Sequence, residues 1–245
     1  EALKKLGLVE IGENNKAKAK AMVVGATGSI GAVCARLLAK AVDEVYIVAR
    51  ESARLLALKE SIMKETPEAK IHVTSNPNKY LRDMDMIVTS TSGAGKRILD
   101  IMEVKPGCVI TDVARPLDIP PEDVAKRPDV LVIESGEVEL PGDVKMKNIG
   151  LPPKVAYACL AETIVLALEG RYETFTVGRE IEWEKVREIY KLGLKHGMKL
   201  ASISGVNGVY TDEDFDRVRT LAMEKRGIKP AESGSKGGKK KAAAS

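Results

Sequence analysis

Three glycines spaced three residues apart, Gly25, Gly28 and Gly31, are the clearest sign of chemistry in this sequence. An apolar stretch, 21–24, precedes them and a helical run, 30–40, follows, so the pattern predicts a strand, a tight turn and a helix. Such a turn lets a pyrophosphate approach the backbone, and the start of the helix offers unpaired N–H groups to the anion. We therefore expect a dinucleotide here rather than a plain glycine turn. The predicted contacts are Gly25, Thr27, Gly28, Ser29, Ile30 and Gly31.

The end of the next predicted strand, 45–48, indicates which cofactor binds. Arg50 stands where NAD-binding folds carry an acidic residue for the ribose 2′-hydroxyl. A guanidinium suits a 2′-phosphate instead, and Arg54, one helical turn further on, would assist it, although Glu51 would oppose it. We expect NADPH in preference to NADH, and the alternative is a solvated arginine at a strand end.

The cysteines are Cys34, Cys108 and Cys159, and their wide spacings predict neither a disulfide framework nor a metal site. On periodicity alone each is a small core residue. Cys159 lies in a run, 155–168, that is apolar nearly all the way round and so predicts a buried helix, with the cysteine in its second turn. Glu162, on the same face, would disfavour a thiolate there.

The elements that must position these residues alternate between strand and helix. This alternation predicts an α/β fold, a Rossmann-like doubly wound parallel sheet with strands 21–24 and 45–48 adjacent. Ligands bind such sheets at the carboxyl ends of the strands, which adds Ser90, Thr91 and Gly136 to the predicted cofactor contacts. An ordinary capped loop is an equal alternative for Ser90 and Thr91. The other predicted strands are 71–74, 86–90, 108–112 and 130–134, and the helices between strands are 53–64, 95–102 and 122–126.

The chain divides into four predicted parts. Residues 1–16 end an upstream helix and linker, 17–150 form the NAD(P)-binding domain, 151–230 form a C-terminal helical segment with Cys159, and 231–245 form a disordered basic tail. Because the chain begins with Glu1 rather than Met, we expect it to belong to a longer protein.

The tail carries three of the four net positive charges, so the remainder is nearly neutral. With 4% aromatic residues as well, a nucleic-acid partner is not expected. We expect a cytoplasmic protein with no transmembrane segment and no signal peptide.

Several segments resemble the long-chain acyl-[acyl-carrier-protein] reductases of cyanobacteria. They are the glycine turn, 47–50, 136–139, 175–179, 186–197 and above all the sequence Tyr-Ala-Cys-Leu-Ala-Glu at 157–162. The similarity runs in the same order from Leu3 to His196. Residues 111–116 differ from that family's glycine-rich turn and are more similar to glutamyl-tRNA reductases, which belong to a wider group with shikimate dehydrogenases.

The resemblance implies a reaction. Cys159 would take a fatty acyl group from acyl-carrier protein or acyl-CoA as a thioester, and NADPH would reduce it to an aldehyde. The family's N-terminal acyl-binding region is expected to be missing here. Two alternatives remain: another NADP-dependent oxidoreductase, acting on a small carbonyl or amino acid, or a non-catalytic NADP-binding module. Tyr157 and His196 are candidate proton donors only by their proximity to the motif.

Overall fold

The computed structural model describes residues 1–93, 97–178 and 181–228. Its centre is a parallel sheet built from β1 (Ala17–Val24), β2 (Val42–Val48), β3 (Lys70–Thr74), β4 (Met86–Thr89), β5 (Val109–Asp112) and β6 (Leu131–Glu134). These strands lie in the order β3-β2-β1-β4-β5-β6, the doubly wound order of dinucleotide-binding folds. The predicted Rossmann-like α/β fold is confirmed, and β1 and β2 are adjacent and parallel.

Two further sets of strands complete the described fold. β7 (Glu137–Glu139), β8 (Val155–Tyr157) and β9 (Lys199–Leu200) form a small antiparallel sheet in the order β8-β7-β9. β10 (Ser204–Gly205) and β11 (Gly208–Val209) extend the main sheet beyond β6. β10 pairs with β6 and with β11, and both pairings are antiparallel. The small sheet begins directly after β6, so β7 continues from the carboxyl edge of the main sheet.

Helices cover the sheets through apolar faces. They are α1 (Ala2–Leu6), α2 (Ser29–Ala41), α3 (Ser52–Glu65), α4 (Pro121–Val124), α5 (Ala158–Leu168), α6 (Trp183–Lys195) and α7 (Asp212–Arg226). α2 and α3 bury Leu38 and Ile62 against one face of β1 and β2. Leu81 and Ile101, in the 3₁₀ turns Pro77–Asp83 and Ile101–Glu103, lie on the opposite face. The end of β1 is buried throughout, as expected for a strand covered on both sides.

The predicted helix over 95–102 is wrong. Arg97–Asp100 has no regular structure, and Ile101–Glu103 is a single 3₁₀ turn; Gly95 lies outside the described residues. The cause is local, because the side chain of Asp100 accepts the N–H of Met102 at 3.0 Å and starts a new turn there. The predicted helix at 122–126 is the single turn α4.

The predicted buried helix over 155–168 is confirmed for 158–168, but its start and its burial on all sides are wrong. Its first three residues form β8, and α5 begins only at Ala158. α5 packs against α6 and the small sheet on one side, so Ala161, Val165 and Leu166 are its buried residues. The rest of this apolar helix is at least partly exposed.

No helix in the described ranges is long and apolar enough to cross a membrane. The predicted basic tail, 231–245, lies outside those ranges.

Candidate functional site

The turn after β1 is tight. Gly25 has φ +82°, and its N–H and that of Ala26 both donate to the carbonyl oxygen of Val48, at 2.9 and 3.0 Å. A Cβ atom on Gly31 would lie 2.2 Å from the carbonyl oxygen of Gly25, so no side chain fits there. α2 therefore starts directly against the turn.

The start of α2 is open to a ligand. Gly28 is the N-cap, and no side chain at this cap accepts a hydrogen bond from the first turn. The N–H groups of Ser29, Ile30 and Gly31 belong to that turn, where an α-helix has no carbonyl partners for them. Thr27, half-buried, directly precedes the cap. The predicted contacts thus share one uncapped helix start, which suits the oxygens of a pyrophosphate.

Arg50 leaves the sheet just after β2 with an exposed side chain, and it has no ion pair within the described residues. Arg54 differs, because its guanidinium lies 3.0 Å from the carboxylate of Glu51. This pairing balances the charge of Glu51 and leaves Arg50 as the available cation at the end of β2.

Ser90 and Thr91 are already engaged by protein groups. The Ser90 hydroxyl donates to the carbonyl oxygen of Val24 at 3.2 Å and so supports the glycine turn. Asp118 accepts both the N–H and the hydroxyl of Thr91, at 2.9 and 2.6 Å. These two residues therefore border the predicted nucleotide site and hold its loops in place.

Two buried carboxylates, Asp112 and Asp118, organise this edge, and neither was predicted as a site residue from the sequence. Asp112 accepts the N–H groups of Ala114 and Ile119 at 3.0 and 2.9 Å, which folds the loop that carries Asp118. Burial raises the pKa of the Asp112 carboxyl, although both bonds oppose that shift. For Asp112 the sequence offered a signal, because this acidic residue ends a buried apolar strand.

Cys159 lies in the first turn of α5, rather than in the second turn of a buried helix, and its side chain is exposed. The expectation that it is a core residue is therefore wrong. The other two cysteines differ from it. Burial raises the pKa of the Cys34 thiol to about 11 and also raises that of Cys108. Of the three cysteines, Cys159 is the exposed one.

The backbone connects Cys159 to Gly136. Glu137 of β7 pairs with Tyr157 of β8, and the N–H of Ala158 donates to the carbonyl oxygen of Gly136 at 2.8 Å. Gly136 has φ +90°, and a Cβ atom built on it would meet nothing within 4 Å. The small sheet thus brings the first turn of α5 next to the residue that follows β6.

The side chain of Glu162, three residues after Cys159, is already hydrogen-bonded within the protein. Its carboxylate accepts the hydroxyl and the N–H of Thr176, a residue of the loop between α5 and α6. His196 lies at the end of α6, and its imidazole is 2.6 Å from the carboxylate of Glu169 at the end of α5. Glu162 is therefore not a free acid or base, and His196 has a local partner.

The carboxyl ends of the strands form one edge. Val24 pairs with Thr89, Thr89 with Asp112, and Asp112 with Glu134, so β1, β4, β5 and β6 end level with one another. Three strand spacings separate β1 from β6, which is about 14 Å. The glycine turn and Gly136 therefore lie at two ends of the same edge.

A sequence profile described as shikimate / quinate 5-dehydrogenase matches residues 8–139. The chain belongs to this family. That match includes the glycine turn, Arg50 and Gly136, and it ends before Cys159. The shikimate / quinate 5-dehydrogenase family and the strand order together give the chain an NAD(P)-dependent oxidoreductase-type fold.

Two curated relatives match a longer part of this chain than the family profile does. Aminotransferase PigE of a Serratia species is 30% identical over 209 residues, which are 83% of this chain and 23% of that protein. The long-chain acyl-[acyl-carrier-protein] reductase of Synechococcus elongatus is 29% identical over 190 residues, 74% of this chain and 53% of that protein. The chain therefore spans about a quarter and about half of the length of these relatives.

Solved structures are similar to parts of this chain at low identity. The quinate dehydrogenase of Corynebacterium glutamicum in complex with NAD is 17% identical, with a TM-score of 0.38, and covers 47% of this chain and 43% of its own. The 5-ketofructose reductase of a Gluconobacter species is 16% identical, with a TM-score of 0.41, and covers 78% and 70%.

Proposed function

We propose that this chain reduces acyl thioesters to aldehydes with NADPH, through an acyl thioester on Cys159. One observation carries the proposal: an exposed cysteine stands in the first turn of α5, joined by backbone pairing to the edge that holds the glycine turn. The similarity to an acyl-[acyl-carrier-protein] reductase supports this reaction. An aldehyde also connects the names of the two relatives, because it is the product of thioester reduction and the kind of carbonyl that transamination converts.

The residues at the edge fit a phosphorylated dinucleotide. The uncapped start of α2 would bind the pyrophosphate, and the close approach of Gly31 to the turn leaves no side chain in the way. Arg50 would bind the 2′-phosphate. In a doubly wound fold of this kind the adenosine half would be held at the ends of β1 and β2, and the nicotinamide half would be held at the ends of β4 to β6, on the side of Gly136. Bound there, NADPH would supply a hydride to the acyl carbon of the Cys159 thioester. The C–S bond to Cys159 would then break, which releases the aldehyde and regenerates the thiolate of Cys159.

Cys159 would perform the covalent step. Its sulfur attacks the carbonyl carbon of the acyl donor, a C–S bond forms, and the donor's C–S bond breaks. The proton lost from Cys159 balances the one gained by the departing thiol of acyl-carrier protein or CoA. The N–H groups of Cys159 and Leu160, in the first turn of α5, are suited to stabilise the oxyanion.

The test is incubation of the chain with acyl-carrier-protein and CoA thioesters, with and without NADPH. We expect a mass increase equal to one acyl group on Cys159 without NADPH, and aldehyde when NADPH is added. Cys159→Ser should abolish both products and keep NADPH binding, and Cys34→Ser is the matched control that should keep both. Aldehyde formation by Cys159→Ser would rule out the covalent route.

A second candidate is hydride exchange with a small carbonyl substrate without covalent catalysis. The family match favours it, since that match covers the predicted nucleotide contacts and stops before Cys159. Cys159→Ser would then retain full activity on that substrate. The same variant therefore separates the two candidates.

A further inference from the structure

One side chain, Arg115, joins the end of the parallel sheet to the segment that carries Cys159. It lies in the loop after β5. Its Nη1 donates to the carbonyl oxygen of Ala114 at 2.9 Å, and its Nη2 donates to that of Ser135 at 3.1 Å. The same Nη2 lies 3.5 Å from the carboxylate of Glu137, and the guanidinium carbon lies 5.8 Å from the ring centre of Tyr157.

Arg115 contacts residues of two paired strands, β7 and β8. Glu137 in β7 and Tyr157 in β8 are directly paired, and directly paired residues point to the same face of a sheet. Arg115 covers both of them. Cys159 follows Tyr157 by two residues, so the guanidinium acts on the strand that leads into the first turn of α5.

The pair between Arg115 and Glu137 is partly shielded from water. The Glu137 side chain is 10% exposed and that of Arg115 is 34% exposed. Burial raises the pKa of the Glu137 carboxyl, and Arg115 opposes this shift. A planar fork satisfies a carboxylate, a carbonyl and a ring face together, which the single ammonium of lysine does not.

We propose that Arg115 is a positioning residue that fixes the turn carrying Cys159 against the nucleotide edge of the sheet. The inference deepens the proposed function and rests on its nucleotide site. It goes further by naming the residue that sets where the thiol stands relative to that site.

The test uses alkylation of Cys159, which needs no acyl substrate. The rate of reaction with iodoacetamide is measured by peptide mass mapping, with and without saturating NADPH, alongside the Kd of NADPH. In the unaltered chain NADPH should protect Cys159. Arg115→Ala should lose that protection at an unchanged Kd, Arg115→Lys should retain part of it, and Glu137→Gln should resemble Arg115→Ala.

The matched control is Arg36→Ala. Arg36 also bonds a carboxylate and a neighbouring oxygen, with Nε 3.0 Å from Glu65 and Nη2 2.9 Å from Ser61, but it does so between α2 and α3. It should keep the protection. If Arg36→Ala loses it as well, the effect is general loosening and the proposal fails.

A second readout separates positioning from stability. With isolated acyl-enzyme, Arg115→Ala should slow aldehyde formation on adding NADPH by about 100-fold, since a misplacement of 1 Å has such an effect, and should leave the acylation rate unchanged. A raised Kd for NADPH would instead make Arg115 a nucleotide contact and overturn the proposal, as would full protection in Arg115→Ala or none in the unaltered chain. If no acyl-enzyme forms at all, the proposed reaction fails, and the alkylation experiment still decides the role of Arg115.

Discussion

At the scale of single residues, the choice of cofactor depends on one exposed guanidinium. Arg50 follows β2, at the position where the chain turns from the sheet toward α3. Arg54 already has Glu51 as its partner, so the two arginines are not equivalent. A 2′-phosphate would give Arg50 the charged partner that it lacks within the described residues.

Arg50→Ala should therefore weaken NADPH binding and leave NADH binding nearly unchanged. The loss of a hydrogen bond between charged groups, about 1.5–3 kcal/mol, corresponds to a roughly tenfold to hundredfold higher Kd for NADPH. Fluorescence titration with both nucleotides measures it. Arg54→Ala is the control and should change the NADPH Kd less. An equal loss for NADH and NADPH would make Arg50 a structural residue.

Gly31 tests the turn itself. In Gly31→Ala the new methyl group would stand 2.2 Å from the carbonyl oxygen of Gly25 and 2.8 Å from the Ser90 hydroxyl, so α2 must move away from the turn. We expect a loss of about 1–3 kcal/mol in the free energy of unfolding, as for other overpacked sites, together with weaker NADPH binding. Denaturant unfolding and nucleotide titration check this. Gly12→Ala, whose methyl group would meet its nearest atom at 3.4 Å, should affect neither.

At the scale of elements, local sequence was sufficient where an element is defined by its own residues. The central strands contain short apolar runs because helices or turns cover both faces, and the glycine turn is specified by spacing. Residues 155–168 gave no such boundary, since apolar composition does not show where β8 ends. Pairing with β7, about twenty residues upstream, decides it.

The loops at the site follow the same rule. The hydrogen bond from Thr91 to Asp118 and the ion pair of Arg115 with Glu137 join residues more than twenty positions apart, so no local spacing reveals them. The exposure of Cys159 likewise follows from α5 being covered on one side only. The site residues were predictable where they belong to a motif, and their supports were not.

Asp118→Ala tests the contribution of one such support. It would leave the N–H of Thr91 without its acceptor beside the glycine turn. An unpaired donor costs about 1–3 kcal/mol when it is fully buried. This N–H is partly buried, so the free energy of unfolding should fall by about 1 kcal/mol and the NADPH Kd should rise with it. Asp100→Ala removes the acceptor of an exposed backbone donor, the Met102 N–H, away from the glycine turn, and should lower stability slightly without changing the Kd. Unchanged NADPH binding in Asp118→Ala would separate this loop from the nucleotide site.

At the scale of the whole molecule, the chain returns to its beginning. α7 packs Phe215 and Val218 against Leu6 of α1, beside β5 and β6. Arg219 of α7 also donates to the carbonyl oxygens of Lys5 and Leu6, at 2.6 and 2.7 Å. α1 and α7 therefore pack together against β5 and β6.

A buried ion pair fixes this closure to the sheet. Arg127 donates to both carboxylate oxygens of Asp129 and to the carbonyl oxygens of Met102 and Val104. Lys225 of α7 reaches the same carboxylate at 2.7 Å. Burial opposes ionisation, yet the bonds from Arg127 and Lys225 hold the pKa of Asp129 at about 2. The charged carboxylate thus belongs to the folded state.

Asp129→Asn should lower the free energy of unfolding by about 3–5 kcal/mol at neutral pH, because it leaves the buried charge of Arg127 without its partner. Arg82→Gln breaks a pair with Glu103 on the surface and should cost at most about 1 kcal/mol.

The sign of the pH effect follows from the pKa of Asp129, which lies below the ordinary value of 3.8. Its contribution is complete above the unfolded pKa and is lost as the pH falls through the folded one. Urea unfolding of the unaltered chain and of Asp129→Asn is measured between pH 7 and pH 2. The difference between their free energies of unfolding should shrink below about pH 4. A gap that stays constant down to pH 2 would mean that Asp129 stabilises the fold through its shape and not its charge.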